Sequence, residues 1–501
     1  MRWWVLGSLL FVLCGCGETP PSSAEPAVSR GTVYAEEPAP VADSLVAVPE
    51  ESETTTVAGD ASKLDDTPKS LWTRQAGVDW PLFLGPTGDS KSTETGILTK
   101  WPAAGPKIVW QRKLGEGYCI GSVSGGRFYQ ADRIGNQANL VCLNAETGAE
   151  LWRHDYDTDY RDLIGYDGGP RCSPIIDGNR VYMYGAEGML HCHNATNGEI
   201  IWKLDTVKDF GVIQNFFGVG STPVIEGDLL ITMVGGSPLD AQDVGIGRAD
   251  PAGSAIVAFN KFTGKVVYKL GDDLASYATP KLVTIDGRRW CFAFCRAGLL
   301  AFEPTKGKVD FHYPWRARLL ESVNASVPVV TGNQVFISET YGPGSSLLAV
   351  IPGDYKVLWA DDLRKREKAM QTHWNTPIHL DGYVYGSSGR HTENAELRCI
   401  ELKTGNVMWS EPGLTRTSLL YVDGHFLSLG EYGQLQLIKA NPQKYELVAE
   451  VLLRDAEAGP ALPGSTGSTL LKYPAWAAPV LSHGLLYVRG ADRLVCLELI
   501  P

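Results

Sequence analysis

Leu140–Trp152 reads LVCLNAETGAELW, and Leu190–Trp202 (LHCHNATNGEIIW) and Leu397–Trp409 (LRCIELKTGNVMW) repeat it: an apolar run, a turn ending in Gly, then a strand carrying a large aromatic. Looser copies stand at Ile256–Tyr268, Leu299–Phe311, Leu347–Trp359 and, most decayed, Leu435–Leu447. A phrase returning every forty to sixty residues or so marks a repeat architecture before any residue is given a role. Upstream of each copy, two-residue turns predict a second hairpin: Gly125-Gly126, Asp177-Gly178, Glu226-Gly227, Asp286-Gly287, Gly332-Asn333, Asp381-Gly382, Asp423-Gly424 and His483-Gly484. Each repeat is then four antiparallel strands. Such a unit cannot bury both faces alone, and radial stacking of its copies gives an all-β, eight-bladed propeller.

The last unit breaks off at Leu494–Leu499, short of its outer strand. Lys107–Leu114 (KIVWQRKL) has the pattern of an outer strand, Trp110 included, with no inner strands before it. The N-terminal strand is therefore expected to complete the final blade, closing the ring and removing a sheet edge.

Residues 1–16 (MRWWVLGSLLFVLCGC) read as an export signal too short to span a bilayer. Leu13-Cys14-Gly15-Cys16 resembles a bacterial lipobox, which implies acylation of Cys16. With Gly17 following that cysteine, the expected location is the cell envelope, anchored in the outer membrane and facing the periplasm. Residues 17–77, rich in Pro, Ser, Thr and Glu, read as a disordered tether. The tether holds most of the formal net charge of −12, so the propeller, residues 78–501, is only mildly acidic and nucleic acid is not an expected partner. The membrane is expected to be met through the lipid anchor alone.

Ten cysteines in an exported chain would suggest disulfides. Cys142, Cys192, Cys399 and Cys496 instead share one place in the repeat, where other copies have Ala258, Ala301 and Ala349, as a small buried packing site would. Cys291 and Cys295 point to one strand face, but their Cα atoms would lie roughly 13 Å apart in an extended strand, too far to pair. The turn glycines, such as Gly148, Gly198, Gly264, Gly307 and Gly405, are expected at positive φ, and the aromatics that follow are expected to pack between blades.

The phrase (Ala/Cys)-x-(Asn/Asp)-x-x-(Thr/Asn)-Gly-x-x-x-Trp, present in Cys142–Trp152 and Cys192–Trp202, resembles the pyrroloquinoline-quinone (PQQ)-like repeat. That propeller family includes quinoprotein alcohol dehydrogenases and BamB-type lipoproteins of the outer-membrane protein assembly machinery. The resemblance covers about residues 80–499. It implies the fold and leaves function open, because the repeat consists of packing and turn residues that enzymes and scaffolds share.

Propellers meet ligands at the axial funnel, at the start of each innermost strand. Small residues before Pro174, Pro223, Pro280, Pro328, Pro377 and Pro479 mark those starts. The funnel candidates are Tyr118, Arg171, Phe217, Tyr277, Asn324, His373, Trp374, Asn375, Arg416 and Trp476. Aromatic faces with two arginines and amides could grip a planar anion or an extended peptide, or could simply plug the channel.

Resemblance to the dehydrogenases implies PQQ held by Ca²⁺ and hard oxygen ligands, an aspartate base and a flat floor, with Arg171, Asn375 and Trp476 as contacts and Trp374 or Trp476 as floor. Their vicinal cysteine pair has no counterpart here, and there is no Cys-x-x-Cys-His haem site. The expectation is therefore a non-catalytic scaffold with no cofactor and no catalytic residue, capturing a protein or extended peptide at the envelope. A PQQ-dependent oxidoreductase acting on an alcohol or sugar is the alternative, followed by a sensor or carbohydrate-binding ectodomain. No metal site is expected. Asp155, Asp157, Asp159 and Asp162 lack the glycine and closing glutamate of a calcium loop. His191 and His193 share a strand face and could be metal ligands, but read as surface or inter-blade residues. The excursion Val234–Ala255 is a candidate recognition loop, and Arg364–Thr372 a short exposed helix or a second such loop.

Overall fold

The computed structural model describes residues 67–213, 216–241, 247–454 and 468–501, and the two-residue strand Thr55–Thr56. The export signal, Cys16 and most of the expected tether lie outside the described residues. Eight antiparallel sheets form the blades of a propeller. Blade 1 runs outward from the channel as Ser122–Ser124, Arg127–Ile134, Gln137–Asn144 and Glu150–Asp157. Blades 2 to 7 repeat that order over residues 175–205, 224–270, 281–314, 329–360, 378–412 and 417–452. Blade 8 combines Val480–Ser482, Leu485–Arg489 and Arg493–Glu498 with Lys107–Lys113 as its outer strand, so the two ends of the ring meet in one sheet.

The repeated phrase exists because it joins blades. The outer-strand aromatic of one blade donates a hydrogen bond to the turn of the next: Trp110 Nε1 to Ala145 O at 2.9 Å, Trp152 to Ala195 O at 3.1 Å, Trp202 to Lys261 O at 3.0 Å, Trp359 to Leu402 O at 2.8 Å and Trp409 to Asn441 O at 2.9 Å. The turn glycine lies under that ring. Gly148 and Gly198 have φ of 72° and 78°, and a Cβ there would approach Trp110 and Trp152 to 2.7 and 2.5 Å. Both the left-handed backbone and the missing side chain are required.

Three local expectations shift. The inner hairpin turns of blades 2 and 3 fall one residue later, at Gly178-Asn179 and Gly227-Asp228, because Asp177 pairs with Arg180 and Glu226 with Leu229. In blade 5 the tight turn between Ile351 and Asp354 lengthens both strands. Leu347 rather than Ala349 then faces Trp359 at the place held elsewhere by Cys142 or Ala301. The cysteines among the described residues are all free and buried, Cys291 and Cys295 included.

The tether boundary also moves. Residues 67–77 lie on blades 1 and 8: Leu71 N donates to Gly125 O at 2.9 Å, Trp72 stacks on His483 with ring centres 4.1 Å apart, and Arg74 meets Glu498 at 2.5 Å. Aromatic and charged side chains with specific partners hold this stretch down although it lacks strand periodicity. Thr55–Thr56 adds a short strand outside blade 2 by pairing with Trp202 and Lys203.

Residues 80–92 close one end of the channel. Trp80 pairs with Val123 of blade 1, and Pro81 O accepts from Ile176 of blade 2 at 2.9 Å. Lys281 Nζ of blade 4 donates to Thr87 O and Gly88 O at 2.6 and 2.8 Å, and Tyr421 of blade 7 bonds to both Ser90 and Ser92.

Candidate functional site

Above this plug a cavity of about 350 Å³ opens along the channel, within the size range of ligand sites. Phe83 and Leu84 of the plug line it, together with residues from the loops that enter each innermost strand. Of the sequence candidates, Tyr118, Arg171, Phe217, Tyr277 and His373 line the cavity, as do Trp374, Asn375, Arg416 and Trp476. Asn324 does not: its Nδ2 turns into the wall and donates to Cys295 O at 2.7 Å. Asn375 also works inward, accepting from His373 N at 3.1 Å and donating to Ser387 O at 3.0 Å, so it shapes the loop that presents Trp374.

An aromatic track runs from the mouth into the cavity. Tyr432 and Tyr473, both exposed, stack with ring centres 5.0 Å apart, and Tyr473 meets the edge of Trp476 at 6.0 Å. Trp476 contacts Trp374 at 4.6 Å and Tyr118 at 4.8 Å. Tyr166, also exposed at the rim, bridges Trp476 and Phe217. Leu163, Ile164 and Leu320 are exposed in neighbouring loops. The excursion within Val234–Ala255 reaches this rim, where Gly247 packs against Leu320. Arg364–Thr372 is an irregular loop rather than a helix.

Each arginine at the cavity is stacked and paired. Arg416 lies 4.5 Å over Trp374 and 5.4 Å over Trp476 while bound to Glu431 at 2.6 Å. Arg171 lies 5.0 Å over Tyr118, with Asp162 at 2.8 Å and Asp167 at 3.3 Å. Arg390 lies 4.5 Å over Tyr341 and pairs with Glu321 at 3.6 Å. Glu431, fully buried, also accepts the Trp476 indole N–H at 3.1 Å. Burial alone would raise its carboxyl, but hydrogen bonds from Arg416 and Trp476 outweigh that and hold it below the ordinary range. Burial, reinforced by Arg416 and Arg390, drives His373 down to about 3, so its ring is neutral and shares a hydrogen bond with Tyr341 at 3.0 Å.

Sequence reading missed Glu431, Tyr341, Arg390 and Tyr166, as well as the plug that floors the cavity. The four aspartates do not converge. Asp162 serves Arg171 and Asp157 accepts from Gln137.

One buried carboxyl beside the site lacks a cation at contact distance among the described residues. Glu339, fully buried, is pushed up to about 7 by burial, against the N–H groups of Tyr341, Gly342 and Gly344 and the charge of Lys368. A carboxyl raised on folding binds its proton more tightly in the native state. Stability should therefore fall as pH rises from about 4.5 to 7, by on the order of 2–3 kcal/mol. Denaturant melts of the native chain at pH 5 and 8 should show this slope, and Glu339→Gln should remove it.

PQQ, a planar anion with a metal beside it, would need unpaired cations, a hard-oxygen cluster and an open flat floor. The arginines are already neutralised, and Trp374 and Trp476 meet each other at 41° rather than presenting a flat platform. Among the described residues around the cavity no three His, Cys, Asp or Glu side chains stand together as a ligand set. As arranged, these residues do not fit that group.

Residues 94–162 and 136–411 match the family model described as outer membrane protein assembly factor BamB. No curated protein sequence matches the chain. Among solved structures, BamB from Moraxella catarrhalis is similar at 14% identity and a TM-score of 0.51, over 78% of this chain and 97% of that one. The quinohemoprotein alcohol dehydrogenase from Comamonas testosteroni is similar at 13% identity and a TM-score of 0.56, over 83% of this chain and 80% of that one. At such identities both likenesses speak for the PQQ-like propeller fold alone.

Proposed function

Because the chain belongs to the family of outer membrane protein assembly factor BamB, we propose that it is a non-catalytic binding propeller of the cell envelope, capturing an extended segment of a partner protein in its plugged funnel. The observation that carries this reading is the aromatic track from Tyr432 and Tyr473 at the rim to Trp476 and Trp374 inside, whose charged neighbours are already paired. Stacked aromatics that keep an apolar face offer contact area at low entropic cost, and a paired arginine among them gains little from an anionic ligand. An uncharged, aromatic- or aliphatic-rich peptide fits that wall better than a planar anion. The exposed apolar rim extends the contact surface beyond the cavity. Lipidation at Cys16 and residence at the periplasmic face of the outer membrane belong to this reading.

The ring does not depend on Trp374 or Trp476, which are only partly buried in the funnel. The double variant Trp374→Ala/Trp476→Ala should keep the β-sheet circular dichroism of the parent and lose partner capture by roughly 100-fold, as removal of two central aromatic anchors does. Undiminished capture would overturn the proposal. Saturable, calcium-dependent quenching of tryptophan fluorescence by micromolar PQQ would favour the oxidoreductase alternative instead.

A further inference from the structure

The interface between blades 1 and 2 departs from the others in chemistry. On the third strand of each blade, two residues flank the small side chain opposite the outer aromatic. They are Val257 and Phe259 in blade 3, Leu300 and Phe302 in blade 4, and Val495 and Leu497 in blade 8, all buried, while blades 5, 6 and 7 carry one polar residue each there, Ser346, Arg398 and Gln436, every one of them hydrogen-bonded. In blade 2 the same two places hold His191 and His193, at 2% and 0% exposure. His154, on the outer strand of blade 1 opposite Leu140, meets them across the interface. Ring centres are 4.7 Å apart for His154 and His193, 5.5 Å for His191 and His193, and 6.4 Å for His154 and His191.

Each ring has a buried nitrogen with no hydrogen-bond partner among the described residues: Nε2 of His154, Nδ1 of His191 and Nε2 of His193. His193 Nδ1 lies 3.1 Å from Gly198 O, and a carbonyl only accepts, so Nδ1 carries the proton and Nε2 a free lone pair. A backbone carbonyl that orients an imidazole in this way is the usual outer support of a histidine ligand. Burial and the neighbouring rings hold His191 well below the usual histidine range and His193 down to about 3, so both are neutral near pH 7, the form a metal binds. Unpaired buried nitrogens otherwise cost stability with no return in an interface where valine and phenylalanine serve elsewhere.

We propose that His154, His191 and His193 bind one borderline divalent cation of the zinc class, which staples blade 1 to blade 2. Three imidazoles on a tetrahedral cation place their ring centres about 5 Å apart, close to the spacing here. The rings are not in a closed ligand geometry as they stand. His154, the partly exposed member, turns inward to complete it and leaves a fourth position for water. Tyr156, held by Glu187 at 2.9 Å, walls one side against His191. Lys203, across from His191, opposes the cation, and Asp155 favours it. The site is separate from the funnel and does not depend on the function proposed there.

The test uses the full chain, stripped of metal and titrated with Co²⁺ and then Zn²⁺. The expected result is one equivalent of Co²⁺ bound with strong visible d–d absorption, displaced by Zn²⁺, and a rise of several degrees in Tm with Zn²⁺. His154→Ala should weaken binding about 100-fold or more. The pair His191→Val/His193→Phe, which installs the residues of blade 3, should fold and lose both the absorption and the Zn²⁺-dependent Tm rise. Absence of stoichiometric binding in the parent chain, or binding unchanged in these variants, overturns the proposal.

Discussion

Removing Lys107–Lys113 should convert the closed ring into an open, self-associating chain. The strand pairs with Arg493–Glu498 through the register Lys107 to Glu498 and Lys113 to Arg493, so its loss bares the full edge of blade 8 to any strand that can add to it. It also removes Trp110, which is 8% exposed, donates to Ala145 O and packs against Phe128 and Tyr487. Trp110→Ala alone empties a site bounded by two blades and should cost about 3–5 kcal/mol. Trp409 makes the same indole contact, to Asn441 O, at an interface whose two blades are consecutive in the chain. Trp409→Ala should therefore destabilise without opening the ring. Size-exclusion chromatography with light scattering separates these outcomes: species larger than the parent for the deletion, a less stable species of the parent's size for Trp409→Ala. A monomeric, cooperatively folded deletion variant would show that closure does not depend on this strand.

Glu431→Ala should be the most damaging single change within the funnel. It strands Arg416, whose guanidinium contacts both Glu431 oxygens, and deprives the Trp476 indole of its acceptor. Leaving one partner of a buried pair alone costs about 3–5 kcal/mol, and the partial opening of the funnel to water puts this case near 3. The double variant Arg416→Leu/Glu431→Leu should be less destabilised than Glu431→Ala, since no uncompensated charge remains, yet it should lose partner capture with the stacked guanidinium. The pH dependence has the opposite sign to that of Glu339. A carboxyl held down on folding contributes stability above its unfolded pKa of about 4.3, and that contribution is lost as pH falls through the folded value. Guanidinium melts at pH 7 and pH 3 should show the gap between the parent chain and Glu431→Gln shrinking at the lower pH.

What could be read from sequence was local or left over. The turn glycine and outer aromatic recur because each interface needs the same contact, so Gly148, Gly198 and Trp152 announce it without any knowledge of the partner blade. Ring closure was legible because a strand with Trp110 stood without a sheet and a last blade stood without an outer strand. The plug was not legible. Residues 80–92 have no period, and their role is set by backbone contacts to blades 1, 2, 4 and 7, far apart in the chain. Proline spacing locates the funnel loops but not side-chain direction, which is why it predicts Asn324 in the cavity while the amide in fact caps Cys295 O. Glu431 escaped because it sits in a turn of the most decayed repeat, where only its pairing with Arg416 distinguishes it from a surface glutamate. His154 joins His191 and His193 only across a blade interface.

Site-specific photocrosslinking in intact cells tests the central claim most directly. A photoreactive residue replaces Tyr166 at the funnel mouth or, as control, exposed Val267 on the outer strand of blade 3. Capture by the funnel predicts one dominant adduct with an envelope protein from position 166, none from position 267, and loss of that adduct when Trp374 and Trp476 are replaced by alanine. Equal adducts from both positions, or an adduct from 166 that survives the double replacement, would contradict it.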